Sequence, residues 1–334
     1  MRIISGKYKG RKLSSFEGDA IRPTSDRAKE AIFSVLQFEL AGKSFYDAFC
    51  GSGAMGIEAL SRGAKSALFT DKSIQSCKLT QKNLDSIGEK ARVLNIDCIS
   101  FLECTSERFD IIFLDPPYKS KDGIKALEII GKRNILNDNG LVIFESGSAF
   151  NQPIDGLFLE KNKKYGACEF AFYRKLNNSL AVFAGSFDPV TKGHIHVVEK
   201  ALKSYSRVIV AMGINADKKY TFDKFTRLNA LNAAFENMQG VSVASFDGYL
   251  VDFLKENRTV NNLRGIRNEV DMQYEENMLD FNKKLYPEIK NIYINCDDGM
   301  KTISSTAFKA VLSDENKWSK FLTEEVAKVL LKAL

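Results

Sequence analysis

The chain has 334 residues, 44% hydrophobic and 27% charged, an ordinary composition for a globular protein and a length that suits about two domains. Its 48 basic and 42 acidic side chains leave a formal charge of +6, too small for a polybasic tail. No apolar run approaches the ~18 residues that a membrane span needs, and Arg2 with the polar residues after Gly6 leaves no apolar core for a secretory leader. The six cysteines are scattered without a Cys-x-x-Cys pair, and the only histidines are His194 and His196. A structural zinc site therefore lacks its paired ligands, no resident metal is expected, and the thiols read as reduced core residues of a cytoplasmic protein. Residues 1–29 hold 8 basic against 3 acidic side chains, a local excess that suits a polyanion such as RNA and equally a solvated face.

In chain order, β-rich runs over 45–49, 66–70, 92–95, 111–114 and 141–145 alternate with helical stretches over 54–62, 73–87 and 121–131. This alternation predicts a parallel sheet with crossover helices. Polar-apolar alternation over 167–175 predicts a closing antiparallel hairpin. A polar connector follows, and a new apolar strand over 180–184 restarts the pattern. The boundaries expected are 1–176, a linker at 177–179, and 180–334: two doubly wound α/β domains.

The stretch Asp47-Ala48-Phe49-Cys50-Gly51-Ser52-Gly53-Ala54-Met55-Gly56 ends a strand and opens a helix, with Asp71 closing the next strand. Taken alone, this pattern also fits a dinucleotide-binding domain. Asp115-Pro116-Pro117-Tyr118 follows the apolar strand 111–114. Two prolines end the ladder and fix a rigid turn. The turn offers a carboxylate, a free carbonyl and an aromatic face, which is what an exocyclic amine on a planar base needs.

With Arg2-Ile3-Ile4-Ser5-Gly6, Gly10-Arg11-Lys12-Leu13, Arg22-Pro23-Thr24-Ser25-Asp26-Arg27 and Glu58-Ala59-Leu60-Ser61-Arg62-Gly63, these motifs make residues 1–175 resemble the bacterial small-subunit rRNA guanine-N2 methyltransferases. The resemblance implies a Rossmann-like fold that binds S-adenosylmethionine. Asp47, Gly51, Ser52 and Gly53 would face its methionine part, Asp71 the ribose and Asp97 the adenine, although an aspartate ending a strand is also a common helix cap. Asp115 and the Pro116 carbonyl would hold the amine of a guanine in 16S rRNA or the small ribosomal subunit, and Tyr118 would stack on the base. Lys9, Arg11, Arg22 and Arg27 would meet phosphates.

In the second half, Gly185-Ser186-Phe187-Asp188-Pro189-Val190-Thr191-Lys192-Gly193-His194-Ile195-His196 joins a strand to a helix running to 203. A helix N-terminus favours phosphate oxygens, and an imidazole on that turn can donate to an α-phosphate. His196 points elsewhere and reads as incidental. Lys218 follows a strand over 208–212, and Arg264-Gly265-Ile266-Arg267 is expected after a strand near 260–263. Tyr274-Glu275 sits on the next helix, and Ile303-Ser304-Ser305-Thr306 opens another.

Together these motifs resemble pantetheine-phosphate adenylyltransferase over nearly all of 180–334, with Ser186 where that family usually has threonine. The fold implied is a Rossmann-like nucleotidyltransferase of the HxGH type. It implies transfer of AMP from ATP, with magnesium, to 4′-phosphopantetheine, giving dephospho-coenzyme A and pyrophosphate, in a homohexamer assembled through this half. Ser186, Lys218, Arg264 and Leu250 would bind 4′-phosphopantetheine. Gly185, Ser186, Phe187, His194, Gly265, Arg267, Glu275, Ser304, Ser305 and Thr306 would bind ATP, with His194 and Lys218 stabilising the transition state.

Two cytoplasmic enzymes in one polypeptide is thus the leading expectation. The alternatives keep the adenylyltransferase beside a non-catalytic RNA- or ribosome-binding module, or read the first half as a DNA amine methyltransferase, for which 178 residues leave little room, or as an NAD enzyme.

Overall fold

The computed structural model describes residues 1–16, 26–117, 120–166, 168–215 and 217–334. Two compact units divide the chain, Met1–Lys175 and Leu176–Leu334.

The first unit runs α1 (Asp26–Val35), β1 (Ser44–Asp47), α2 (Ala54–Ser61), β2 (Ser66–Asp71), α3 (Ile74–Ile87), β3 (Arg92–Asn95), α4 (Cys98–Cys104), β4 (Phe109–Leu114), α5 (Asp122–Lys132), β5 (Leu136–Ser146), β6 (Leu157–Tyr165) and β7 (Cys168–Lys175). Its sheet has the order β3-β2-β1-β4-β5-β7-β6. β1 to β5 are parallel, and β7 pairs antiparallel with both β5 and β6. The continuous apolar run in β4 follows from this arrangement. Ile111 and Phe113 enter one core and Ile112 and Leu114 the other, because both faces of the sheet are covered. β5 begins at Leu136 rather than 141, and its register against β4 shifts between Phe109 and Ile111.

A buried charge cluster fastens the N-terminal arm to this unit. Arg2 and Lys12 bridge antiparallel, so residues 1–13 double back on themselves. Glu58 on α2 accepts the Ile4 and Ser5 N–H groups at 2.8 and 3.0 Å and the Arg62 Nε at 2.7 Å. Lys29 on α1 lies 3.5 Å from Glu58, both side chains 0% exposed, and its Nζ also donates to the Arg2 carbonyl at 2.6 Å. Burial holds the Lys29 amine below its ordinary pKa. Glu58→Ala would strand that cation and three further donors, so a loss of about 3–5 kcal/mol is expected in a urea titration followed by circular dichroism. A change under 1 kcal/mol would show that the cluster does not hold the arm.

The second unit runs β8 (Leu180–Gly185), α6 (Lys192–Ala201), β9 (Arg207–Ile214), α7 (Lys224–Phe235), β10 (Val241–Asp247), α8 (Leu250–Glu256), β11 (Asn261–Ile266), α9 (Glu269–Leu285), β12 (Lys290–Asn295), α10 (Ser305–Lys309) and α11 (Glu324–Leu331). All five strands are parallel, in the order β10-β9-β8-β11-β12. Arg264, Gly265 and Ile266 correct the sequence reading: they end β11 rather than follow it, and only Arg267 lies beyond the strand. Residues 177 and 178 are held by the second unit, through Asn177 N–H to the Arg258 carbonyl and Asn261 Nδ2 to the Asn178 carbonyl. Trp318 is buried edge-on against Phe308, its indole N–H donating to the Leu312 carbonyl at 3.1 Å. Among the described residues, no helix is long and apolar enough to cross a membrane.

Candidate active sites

Among the parallel strands of each sheet the order reverses once, between β1 and β4 and between β8 and β11. Parallel strands put all their C-terminal ends on one edge, and the crevice at such a reversal is where open α/β sheets take ligands. Several of the expected residues that the structure describes follow strands on those edges, Gly51, Asp97 and Asp115 in the first unit and Ser186, Lys218 and Arg267 in the second.

In the first unit the loop after β1 turns on Gly51 and Gly53, at φ 53° and 76°. Added Cβ atoms decide what each glycine does. At Gly53 one would stand 2.7 Å from the Thr80 methyl, so α3 packs tightly there, whereas at Gly51 it would meet nothing within 4 Å. The loop is thus open to a ligand at Gly51. Asp47 is buried and accepts the Gly56 N–H at 2.9 Å, and burial pushes its carboxyl up to about 7. Asp71 links this loop to the next, accepting from Gly51 N at 3.0 Å and Ser73 N at 2.8 Å. Asn83 on α3, absent from the sequence reading, donates to the Ser52 and Ser14 carbonyls and so ties the glycine loop to the arm. Asp97 caps α4, accepting the Ser100 N–H at 3.1 Å, the alternative recognised from sequence. Asp115 and Pro116 follow β4 directly, next to β1 in the sheet. Lys9, Arg11 and Arg27 are exposed, and Arg11 reaches the Ser86 carbonyl at 3.0 Å. Arg22 and Tyr118 lie outside the described residues.

In the second unit the loop after β8 carries Ser186 and Phe187, and His194 sits on the first turn of α6. The Thr191 N–H donates to His194 Nδ1 at 3.0 Å. A backbone amide can only donate, so Nδ1 accepts and the ring hydrogen sits on Nε2. Desolvation, with Arg267 nearby, drives the imidazole down to about 4, which keeps it neutral at ordinary pH. Phe187, at φ 44°, packs its ring against His194 at a centroid distance of 5.1 Å. A non-glycine residue in that backbone region is strained and persists only where its surroundings hold it.

Lys218, in the loop after β9, donates to Ser186 Oγ at 3.0 Å, which unites two residues expected on one phosphate. The two arginines of the Arg-Gly-Ile-Arg motif each meet a carboxylate of α9: Arg264 Nε with Glu275 at 2.7 Å, and Arg267 with both oxygens of Asp271 at 2.8 and 3.1 Å. Gly265 lies under Val197 of α6, 2.7 Å from where its Cβ would be. Ser304 caps α10, Ser305 Oγ donates to the Pro189 carbonyl at 2.8 Å, and Thr306 is exposed. That bond places the Ser304–Thr306 turn beside the His194 loop. Leu250 opens α8 on the same edge, after β10. Gly185 ends β8.

The family model described as Conserved hypothetical protein 95 matches residues 1–174, and the one described as Cytidylyltransferase-like matches residues 182–311. "Putative rRNA methyltransferase YlbH" of Bacillus subtilis is 34% identical over 182 residues, 52% of this chain and 99% of the relative. "Ribosomal RNA small subunit methyltransferase D" of Haemophilus influenzae is 32% identical over 52% of this chain and 93% of its own length. "Phosphopantetheine adenylyltransferase" of Petrotoga mobilis is 35% identical over 156 residues, 46% of this chain and 96% of that protein. The chain belongs to both families, one in each half.

The adenylyltransferase half also uses residues that sequence reasoning did not single out. Asp188, buried, accepts the Thr221 and Phe222 N–H groups at 2.9 and 3.0 Å and pairs with Lys309, so one carboxylate joins the loop after β8 to the segment before α7 and to the end of α10. These donors hold it below the usual carboxylate range, against the opposing effect of burial. His196 lies 3.2 Å from Asp297, which Lys200 also holds at 2.7 Å. The methyltransferase half relies in the same way on Asn83 and Glu58. Among the described residues no group of histidine, cysteine, aspartate or glutamate could hold a metal ion.

Proposed function

We propose that the chain is a bifunctional cytoplasmic enzyme, with a methyltransferase over residues 1–176, a linker at 177–179 and an adenylyltransferase over 180–334. The first half methylates N2 of a guanine in 16S rRNA, naked or in the small ribosomal subunit. What supports this is Asp115-Pro116 emerging from β4 beside the open glycine loop of β1. S-adenosylmethionine supplies an electrophilic methyl group there. Asp47, Gly51, Ser52, Gly53, Asp71 and Asp97 are the residues that would hold it, and the openness at Gly51 and the two carboxylates around it suit a ligand bearing an ammonium and a ribose. Asp115 and the Pro116 carbonyl accept hydrogen bonds from the two N–H groups of the guanine amine and align its nitrogen, a positioning effect. Tyr118 stacks on the base, and Lys9, Arg11, Arg22 and Arg27 take phosphates.

The second half transfers AMP from ATP, accompanied by Mg2+, to 4′-phosphopantetheine. The Lys218–Ser186 contact carries this reading, since it sets a cation and a hydroxyl donor together at a strand edge beside His194. Ser186, Lys218 and Arg264 hold the acceptor phosphate, whose oxygens are already ionised, and Leu250 lines its arm. His194 Nε2 and Lys218 meet the charge that develops on the α-phosphate. Gly185, Phe187, Gly265, Arg267, Glu275 and Ser304–Thr306 bind ATP. This half assembles as a homohexamer. The exposed apolar stripe Val270, Tyr274, Met278, Phe281 and Leu285 along α9 supports assembly. A cytoplasmic location fits six cysteines scattered without a Cys-x-x-Cys pair.

Nucleoside mass spectrometry of rRNA and small subunits incubated with the protein and S-adenosylmethionine should reveal new N2-methylguanosine, and a pyrophosphate-release assay should detect adenylyl transfer. Absence of methylation on either substrate, with transfer intact, would reduce the first half to a binding module. Asp47 sets a pH signature. A protonated Asp47 cannot attract an ammonium group, so affinity for S-adenosylmethionine should fall by up to about tenfold per pH unit as pH drops below about 7. Calorimetric titration of Asp47→Asn should show weak binding that no longer varies between pH 5 and 7.

A further inference from the structure

The adenylyltransferase half buries a cation that none of the roles above employs. Arg227, on the first turn of α7, is 1% exposed. Its Nη1 donates to the Ser186 carbonyl at 2.7 Å, and its guanidinium carbon lies 3.7 Å from the centroid of the Tyr220 ring. Its Nε has no hydrogen-bond partner. Neither Arg227 nor Lys218 forms an ion pair with a carboxylate among the described residues. The neighbouring Asp223 is exposed and caps α7 through the Thr226 N–H.

A guanidinium withdrawn from water without a carboxylate is costly, and such a charge leaves a positive field in its surroundings. Here the field falls on Ser186 and Lys218. The contacts also couple two loops. Tyr220 Oη accepts the Asn215 N–H at 3.2 Å, so its ring braces the turn that carries Lys218. Arg227 stacks on that ring while gripping the backbone of Ser186, and so fixes both partners of the Lys218–Ser186 contact at once.

We propose that Arg227 is a positioning residue of the acceptor-phosphate subsite. Without touching substrate, it locks the Ser186 and Lys218 loops in register, and its charge, which Asp223 offsets only from a distance and no carboxylate pairs directly, favours the phosphate terminus of 4′-phosphopantetheine over its uncharged pantetheine counterpart. The proposal rests on the adenylyltransferase reading. It differs from a purely structural role in one respect: the effect belongs to one substrate.

Steady-state kinetics of Arg227→Met, Arg227→Lys and Tyr220→Leu would test this, with KM measured separately for 4′-phosphopantetheine and ATP. Trp318 fluorescence and circular dichroism would establish that each variant is folded. For Arg227→Met, KM for 4′-phosphopantetheine should rise about tenfold or more, while KM for ATP stays within about twofold. Discrimination against pantetheine as a competing ligand should shrink in parallel. Arg227→Lys, keeping the charge but not the planar stack, should recover part of the loss, and it supplies the result if Arg227→Met does not fold. Equal rises in both KM values, or no change in a folded variant, would overturn the proposal while leaving the activity assigned. A wild-type chain without adenylyl transfer would overturn the activity and the proposal together.

Discussion

Replacing His194 by alanine is expected to lower kcat for adenylyl transfer about 10²–10³-fold, the usual cost of removing one preorganised donor from a transition-state charge. The two substrates' KM values should change far less, because the donor acts where charge develops rather than where the ground state binds. The local geometry gives this expectation a pH signature. Nδ1 is occupied by the Thr191 N–H, which leaves Nε2–H as the donor. Since the ring's pKa is depressed to about 4, the neutral donor form persists throughout the working range. The wild-type rate should therefore show no inflection near pH 6.5. Its His194-dependent part should fall only as pH approaches about 4, where protonation of Nδ1 breaks the Thr191 bond and adds a charge beside Arg267. A His194→Ala enzyme within threefold of wild type, or a step in rate near pH 6.5 that disappears in the variant, would show that the imidazole works otherwise.

Asp115→Ala should reduce methyl transfer to rRNA by a comparable 10²–10³-fold, about 3–4 kcal/mol of barrier. Asp115→Asn should be no better. An amide offers one acceptor but also turns two donors toward an amine that has protons to give. Single-turnover transfer of a labelled methyl group to small-subunit rRNA would measure both. Affinity for S-adenosylmethionine should be retained, because Asp115 follows β4 while the glycine loop follows β1. Adenylyl transfer by the same preparation serves as an internal control. Methylation that survives in Asp115→Ala would mean that the Pro116 carbonyl alone orients the amine.

The strands that support both sites were legible because they lie buried on two faces and so read as apolar runs, Ile111–Leu114 and residues 180–184 above all. Motifs placed at the ends of those strands then fell on the correct edge. The elements that escaped notice lack such a signal. α4 spans only seven residues, too few for a helical period to emerge. β10 is an edge strand whose residues are half-buried or exposed, so it carries no unbroken apolar run. β11 was ended too early because Arg264 interrupts its hydrophobic pattern. The guanidinium is tolerated there by reaching the Ala184 carbonyl at 3.0 Å and Glu275. Asp188, Arg227 and Asn83 were invisible for a different reason. Each works through partners far away in sequence, Asp188 with Lys309 and Asn83 with Ser14, and no local spacing records a contact made only after folding.

The sole tryptophan gives the chain an optical asymmetry. Trp318 rests against Phe308 on α10, the short helix opened by the Ser304–Thr306 turn, and donates to the Leu312 carbonyl, both within the second unit. Eleven tyrosines absorb alongside it, but red-edge excitation selects the indole. Its emission therefore samples α10 and the turn proposed to bind nucleotide, while the methyltransferase half has no indole of its own. Nucleotide titrations can be followed in the intact polypeptide without a label, and a tryptophan introduced near Asp115 would light the other half against a background of known origin.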